Sequence, residues 1–237
     1  MLKDLEVRYP KIVLIDNTTL RSSLYDSQAK WGVSTRYQWF KGYKLHLCTT
    51  AEGVILSHVL TTANRNDAAV APESLVSLKQ WDIELVLGDA AYDSEKVRQT
   101  AGQAGILFIS PINRRNSKER KDAYGRVLPV LLKTRFGQWL FGLRRGIERV
   151  FNELKSDGVE QPRWYGFHRY LLHVLCCILM HNFEFFTLVL QHHLCSKQNS
   201  LSSYEGFICG FITNVGFIRV FLIFRCMSFT KNHKQKC

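Results

Sequence analysis

Hydrophobic positions along the first 110 residues switch between two periods. Lys11 to Asp16 (KIVLID) is a short apolar run rich in β-branched residues, the pattern of a buried strand that ends at Asp16. Gly42 to Thr49 (GYKLHLCT) alternates apolar and polar, as a half-buried strand does. Glu52-Gly53 is a turn signal and Val54 to Leu60 a third strand, so these two strands predict an antiparallel hairpin. Residues 17–40 are rich in Ser, Thr and Gln and read as a loop, with Trp31 and Trp39 as packing residues. Asp67 is placed to cap a helix reaching Gln80, and Asp93 a second helix reaching Ala104. Ile83 to Gly88 reads as a fourth strand, leading into Asp89, and Ile106 to Ile109 as a fifth. The order is β-β-β-α-β-α-β.

The pattern then changes. Residues 111–136 are basic and irregular. A helix follows from Gly137 to Lys155, with Gly158 as its C-terminal stop, and another from His168 to Leu190. The chain from Cys195 is Ser-rich, then Phe-rich, then basic. Phe207 to Phe224 has about the length of a bilayer-crossing helix, but Asn214, Arg219, Gly210 and Gly216 interrupt it. The expected organisation is one domain over 1–194, with a short basic insertion at 111–136, and an atypical, disordered or non-native tail over 195–237. No membrane partner is expected.

Composition adds the character of the partner. Of 237 residues, 46% are hydrophobic and 22% charged, which suits a soluble globular chain. The net charge is +12. Residues 1–110 hold 12 Lys/Arg against 12 Asp/Glu, whereas residues 111–170 hold 14 against 6. So concentrated a surplus is the footprint of a polyanion partner. Arg114, Arg115, Lys118, Arg120 and Lys121 lie at its start and are expected to meet DNA phosphates. Seven Cys, of which only Cys48 precedes residue 176, give no disulfide framework, and Met1 to Pro10 gives no secretory signal. A reducing, cytoplasmic setting is expected.

Candidate chemistry rests on carboxylates. Asp16 and Asp89 each lie where a strand is expected to hand over to a loop, the place where open α/β sheets carry their sites. Two such carboxylates can share a pair of hard cations, which take oxygen ligands and leave positions for phosphate and water. Glu148 is the third candidate. On a continuous helix Arg144, Glu148, Phe151 and Lys155 fall within a ~60° stripe, an acid between two bases, as expected beside phosphate. Glu153 lies about 140° away on the same wheel. A row of salt bridges on a solvated helix would show the same spacing.

Taken together these stretches resemble the insertion-sequence DDE transposases, whose catalytic domain carries the signature Y-(2)-R-(3)-E-(6)-K. The chain reads Phe141-(2)-Arg144-(3)-Glu148-(6)-Lys155, with Phe in the Tyr position. IDNTT at 15–19, GYKLHL at 42–47, LTTANRND at 60–67 and LGDAAYDS at 87–94 resemble the blocks around the first Asp, the second strand, the first helix and the second Asp. The resemblance covers residues 11–190. It implies an α/β, RNase H-like (β-β-β-α-β-α-β-α) mixed five-stranded sheet flanked by helices. It implies Asp16, Asp89 and Glu148 as catalytic metal ligands for two Mg2+, with Mn2+ as the alternative, and Arg144 and Lys155 on DNA. The partners implied are double-stranded transposon ends and target DNA, bound by a homodimer, with no small-molecule substrate. Localisation follows as cytoplasmic, at a bacterial nucleoid. Members carry an N-terminal region that helps recognise the terminal repeats, and the first strand here starts ten residues in, so a truncated copy is expected. An inactive DNA-binding remnant, and a nuclease without strand transfer, are the alternatives.

Two further groups stand out. His173, Cys177 and His181 recur every fourth residue and have zinc-ligand chemistry, but their helix is mostly apolar and reads as core. Trp164 lies just past the Glu148 helix and is the best placed of the Trp residues to stack on a base.

Overall fold

The apolar run that opens at Ile12 does not end at Asp16. Its alternation carries on through Thr18, Thr19 and Leu20, and β1 spans Ile12–Arg21. Asp16 is therefore inside a strand, opposite Leu47, and not at a strand end as the sequence suggests. The computed structural model describes residues 11–34, 36–113 and 123–197, except for the side chains of 123, 124 and 190–197. The remaining strands are β2 (Lys30–Ser34), β3 (Gln38–Thr50), β4 (Ile55–Thr62), β5 (Leu85–Leu87) and β6 (Leu107–Ile109).

β1, β3 and β4 pair antiparallel, while β5 joins β1 and β6 joins β5 in parallel. The order β4-β3-β1-β5-β6 is the mixed RNase H-like sheet that the resemblance implies. A sixth strand is added to the expected five, because β2 pairs with the first residues of β3. The stretch 17–40 is thus only partly loop. Val33 and Trp39 face each other across that pair, and Trp31 and Trp39 are exposed instead of packed.

Helices cover both faces. α1 (Asp67–Ser77) and α2 (Glu95–Gln103) pack Ala71, Leu75, Val97 and Ala101 against Val13, Ile15, Cys48 and Val86. The other face, with Leu14, Leu20, Leu45 and Leu47, is covered by α5 (Arg145–Ser156) and by α6 (Phe167–Lys197) up to Ile178. On α5 the buried residues Ile147, Val150, Phe151 and Leu154 recur at helical spacing, so one stripe meets the sheet. α6 is the one helix among the described residues long and apolar enough to cross a bilayer, and it buries Tyr170, Val174, Cys177 and Ile178 in this core. The residues up to Phe185 form one compact unit.

Three expectations change at the helix ends. Asn66, not Asp67, caps α1, accepting from the Ala68 N–H. Asp93 does not cap α2 and pairs instead with Arg98 at 2.8 Å. The helix expected over 137–155 is two, α4 (Arg135–Gly142) and α5, with α3 (Ala123–Leu131) before them in the stretch read as irregular. Arg144 lies between α4 and α5 as the N-cap residue of α5, though its φ −57° and ψ −21° remain helical.

Gly146 sets how closely α5 approaches the sheet. A Cβ there would lie 2.2 Å from the Ala51 carbonyl oxygen, in the β3–β4 turn. Gly146→Ala must therefore push the first turn of α5 outward. We expect a loss of about 1–3 kcal/mol in urea unfolding; an unchanged midpoint would mean that this approach is not tight.

Candidate active site

Strand register brings the first two acids together. Leu14 on β1 pairs with Leu87 on the parallel strand β5. Asp16, still within β1, and Asp89, just past β5, each follow two residues later, so they lie side by side on one face, about 5 Å apart in the pairing direction. Asp89 comes off β5 as the cap of a single 3-10 turn (Ala90–Tyr92), its Oδ1 accepting the Ala91 N–H at 2.9 Å.

Arg144 answers this pair. Its Nη2 donates to Asp16 Oδ2 at 2.7 Å, and both side chains are largely buried. The other oxygen of Asp16 accepts the Asn17 N–H at 2.8 Å. The Arg144 guanidinium lies 5.2 Å from the centre of the Phe141 ring. The residue in the Tyr position of the signature thus serves Arg144 through its ring face. Arg144 Nε is buried with no hydrogen-bond partner among the described residues.

Burial makes the two negative charges costly. It pushes the Asp16 carboxyl up to about 6, against the pull of Arg144 and the Asn17 N–H, and Asp89 pushes the same way. Asp89 is raised as well, again chiefly by burial, with the Ala91 N–H and Arg144 opposing. Two part-buried carboxylates beside one guanidinium form an oxygen-only donor set with charge left to neutralise. By donor chemistry, Asp16 and Asp89 fit a hard divalent cation.

The third acid is placed differently. Glu148 is exposed in the first turn of α5, one turn beyond Arg144. Among the described residues no three His, Cys, Asp or Glu side chains lie close enough together to hold a metal. Glu148 therefore does not complete a cage with the two Asp residues here. Lys155 contacts Glu160 at 3.5 Å, and Glu160 also takes Arg36 at 3.0 Å. Trp164 is half-buried. Arg114, Arg115, Lys118, Arg120 and Lys121 lie outside the described residues. His173 and His181 contact the Gly158 and Gly53 carbonyls at 3.0 and 2.9 Å, which accounts for both without zinc.

A polar network beneath the two acids has no counterpart in the sequence reading. Tyr92, fully buried three residues after Asp89, receives the Asn17 amide at 3.4 Å and meets His46 Nδ1 at 3.2 Å. His46 Nε2 contacts Thr61 Oγ1 at 3.3 Å. Burial pushes His46 down to about 4, so it is neutral near pH 7. The Tyr92 hydroxyl can then donate to Nδ1 while Nε2–H donates to Thr61. One hydroxyl thereby links the neighbour of Asp16 to the turn that carries Asp89. The signal was present, since His46 and Tyr92 belong to the GYKLHL and LGDAAYDS blocks.

Two outcomes follow. Tyr92→Phe leaves the Asn17 amide and a His46 nitrogen without this partner, and should cost about 1–3 kcal/mol in chemical unfolding. The Asp16 carboxyl is raised from 3.8 to about 6, so the folded state holds that proton more tightly. Its contribution to stability is present below the unfolded value and fades as pH rises through the folded one. In metal-free buffer, the stability of the parent relative to Asp16→Asn should decline across that window; a flat or rising difference would contradict the assignment.

The chain matches the family described as "Transposase DDE domain" over residues 9–183. Among curated proteins none matches. The solved structures it is similar to include a piggyBac transposase synaptic complex with hairpin DNA, 10% identical, covering 90% of this chain and 54% of that one, TM-score 0.49. A simian T-cell lymphotropic virus intasome with PP2A regulatory subunit B56 gamma is 15% identical, covering 70% and 47%, TM-score 0.38. The catalytic core domain of BIV integrase is 10% identical, covering 70% and 82%, TM-score 0.40. The chain spans about half the length of the first two of these. With the family matched from the strand before Asp16 to the middle of α6, the chain belongs to the transposase DDE domain family.

Proposed function

We propose that this chain is the catalytic domain of a DNA transposase that cuts DNA at element ends and joins the freed 3′-hydroxyl to target DNA, using Mg2+. The observation that carries the reading is the pairing of Asp16 with Asp89 across parallel strands, with Arg144 on Asp16 at 2.7 Å. Asp16 and Asp89 would hold the metal, and Glu148 is the third ligand that the signature assigns. When bound, divalent metal activates the attacking oxygen and stabilises the leaving one in an in-line phosphoryl displacement.

The chain's own residues do the rest. Arg144 orients Asp16 through one nitrogen and sets a positive charge beside the acid pair. Asn17, Tyr92 and His46 fix the two acids from below. Phe141 holds the guanidinium plane. The basic surplus over 111–170 supports a polyanionic substrate. Assembly as a homodimer on paired ends belongs to the same reading.

The placement of Glu148 favours a second reading, a DNA-binding remnant that no longer cuts. A supercoiled-plasmid nicking assay separates the two. The parent should nick in Mg2+ or Mn2+, and Asp16→Asn, Asp89→Asn and Glu148→Gln should each lose at least about a hundredfold in rate, while retaining DNA binding. A parent that nicks nothing, or three variants that match it, sinks the catalytic reading. Cleavage without joined products identifies a nuclease. Independently of activity, millimolar Mg2+ should raise the melting temperature of the parent and leave that of Asp16→Asn nearly unchanged.

A further inference from the structure

The sheet face that carries Asp16 continues past the helices that cover it. By the two-residue alternation, Leu47, Leu45, Tyr43, Lys41 and Trp39 share that face along β3. The first three belong to the core under α5 and α6. Beyond Tyr43 the face passes to the β2–β3 pair, where Trp31 lies opposite Lys41 and Val33 opposite Trp39. Here nothing covers it among the described residues: Trp31 is 54% exposed, Val33 59% and Trp39 70%.

The reverse face of the same hairpin is filled. Phe40 and Gly32 are buried, and a Cβ on Gly32 would lie 2.4 Å from the Ala63 carbonyl oxygen. The backbone is therefore held in place while two indoles point outward. A contiguous exposed apolar face on a fixed scaffold marks a partner surface. Its charge says which partner. Lys41 lies within the face, between the two indoles, with its ammonium on the uncharged Leu24 carbonyl. Arg36, in the turn of the hairpin, shares the Glu160 carboxylate with Lys155. A second copy would bring the same positive face against it, whereas DNA offers phosphates to Lys41 and sugars and base faces to the indoles.

We propose that the open face of the β2–β3 hairpin, Trp31, Val33 and Trp39 with Lys41, is a DNA-contacting surface. It rests on the transposase reading and extends it along the substrate. Trp39 is eight positions along β3 from Leu47, the partner of Asp16. At ~3.3 Å per residue this is roughly 26 Å, or about eight base pairs of duplex. The hairpin would hold DNA well to one side of the scissile phosphate.

The test measures affinity of the full chain for a fluorescent 30-base-pair duplex of the element's end, by anisotropy across a salt series, with sedimentation of the free protein in parallel. The double variant Trp31→Ala/Trp39→Ala should bind at least about tenfold more weakly with the salt slope unchanged. Lys41→Gln, which leaves the indoles intact, should lower the slope by about one. Both should keep the parent's melting temperature and sedimentation coefficient. Asp16→Asn should bind like the parent, so a failure of the catalytic reading shows in cleavage and a failure of this one in affinity. Parent-like affinity and slope in both hairpin variants would overturn the proposal. So would loss of a dimer in the double variant with DNA affinity retained, since the face would then be a protein interface.

Discussion

The fold depends most on the parallel pairing of β1 with β5. Leu14 against Leu87 fixes the register in which the two strands place their charged residues. Two residues later each chain presents an aspartate, and the register alone makes them neighbours. A shift of one residue on either strand would turn one carboxylate to the opposite face, where α1 and α2 pack. Apolar packing on both faces prevents that shift, since Val13, Ile15 and Val86 fill one core while Leu14 and Leu87 fill the other.

Two charges brought together this way need an answer within the protein. Arg144 gives it from the junction of α4 and α5, where Phe141 supports the guanidinium. The close approach of Gly146 to Ala51 fixes the depth of that junction. Below the sheet the Tyr92 hydroxyl ties the two acid-bearing segments to His46. The acids are thus held from both sides by groups that take no part in bond making. Burial still leaves Asp16 near 6, so its negative charge is held at a cost that a proton or a cation would relieve.

Much of this was legible in the sequence. The strand-and-helix order and the helix starts near 67 and 94 follow from period and turn chemistry, and the blocks around Asp16, Asp89 and Arg144 from the resemblance to the family. What was missed has physical causes. Thr18 and Thr19 extend β1 past Asp16, but they are polar, so the strand looked finished where the apolar run stopped. Lys30 to Ser34 does alternate, with Trp31 and Val33 at every second position, but the run is only five residues long and lies within a Ser-, Thr- and Gln-rich stretch, so it reads as loop. The break at Leu143 lies before Arg144, so Arg144 and Glu148 keep their one-turn spacing on α5; which of the two meets Asp16, and which stays exposed, depends on packing that spacing does not encode. Tyr92 and His46 are polar residues in apolar surroundings, and only the three-dimensional contact shows that they satisfy each other.

Whether Asp16 and Asp89 form one cation site is decided by anomalous diffraction from crystals of the full chain soaked in Mn2+. The expected result is a Mn2+ peak within coordination distance of both carboxylates, about 2.0–2.6 Å from their oxygens. Crystals with Mn2+ bound elsewhere, or at only one of the two carboxylates with the other still turned to protein partners, would contradict it.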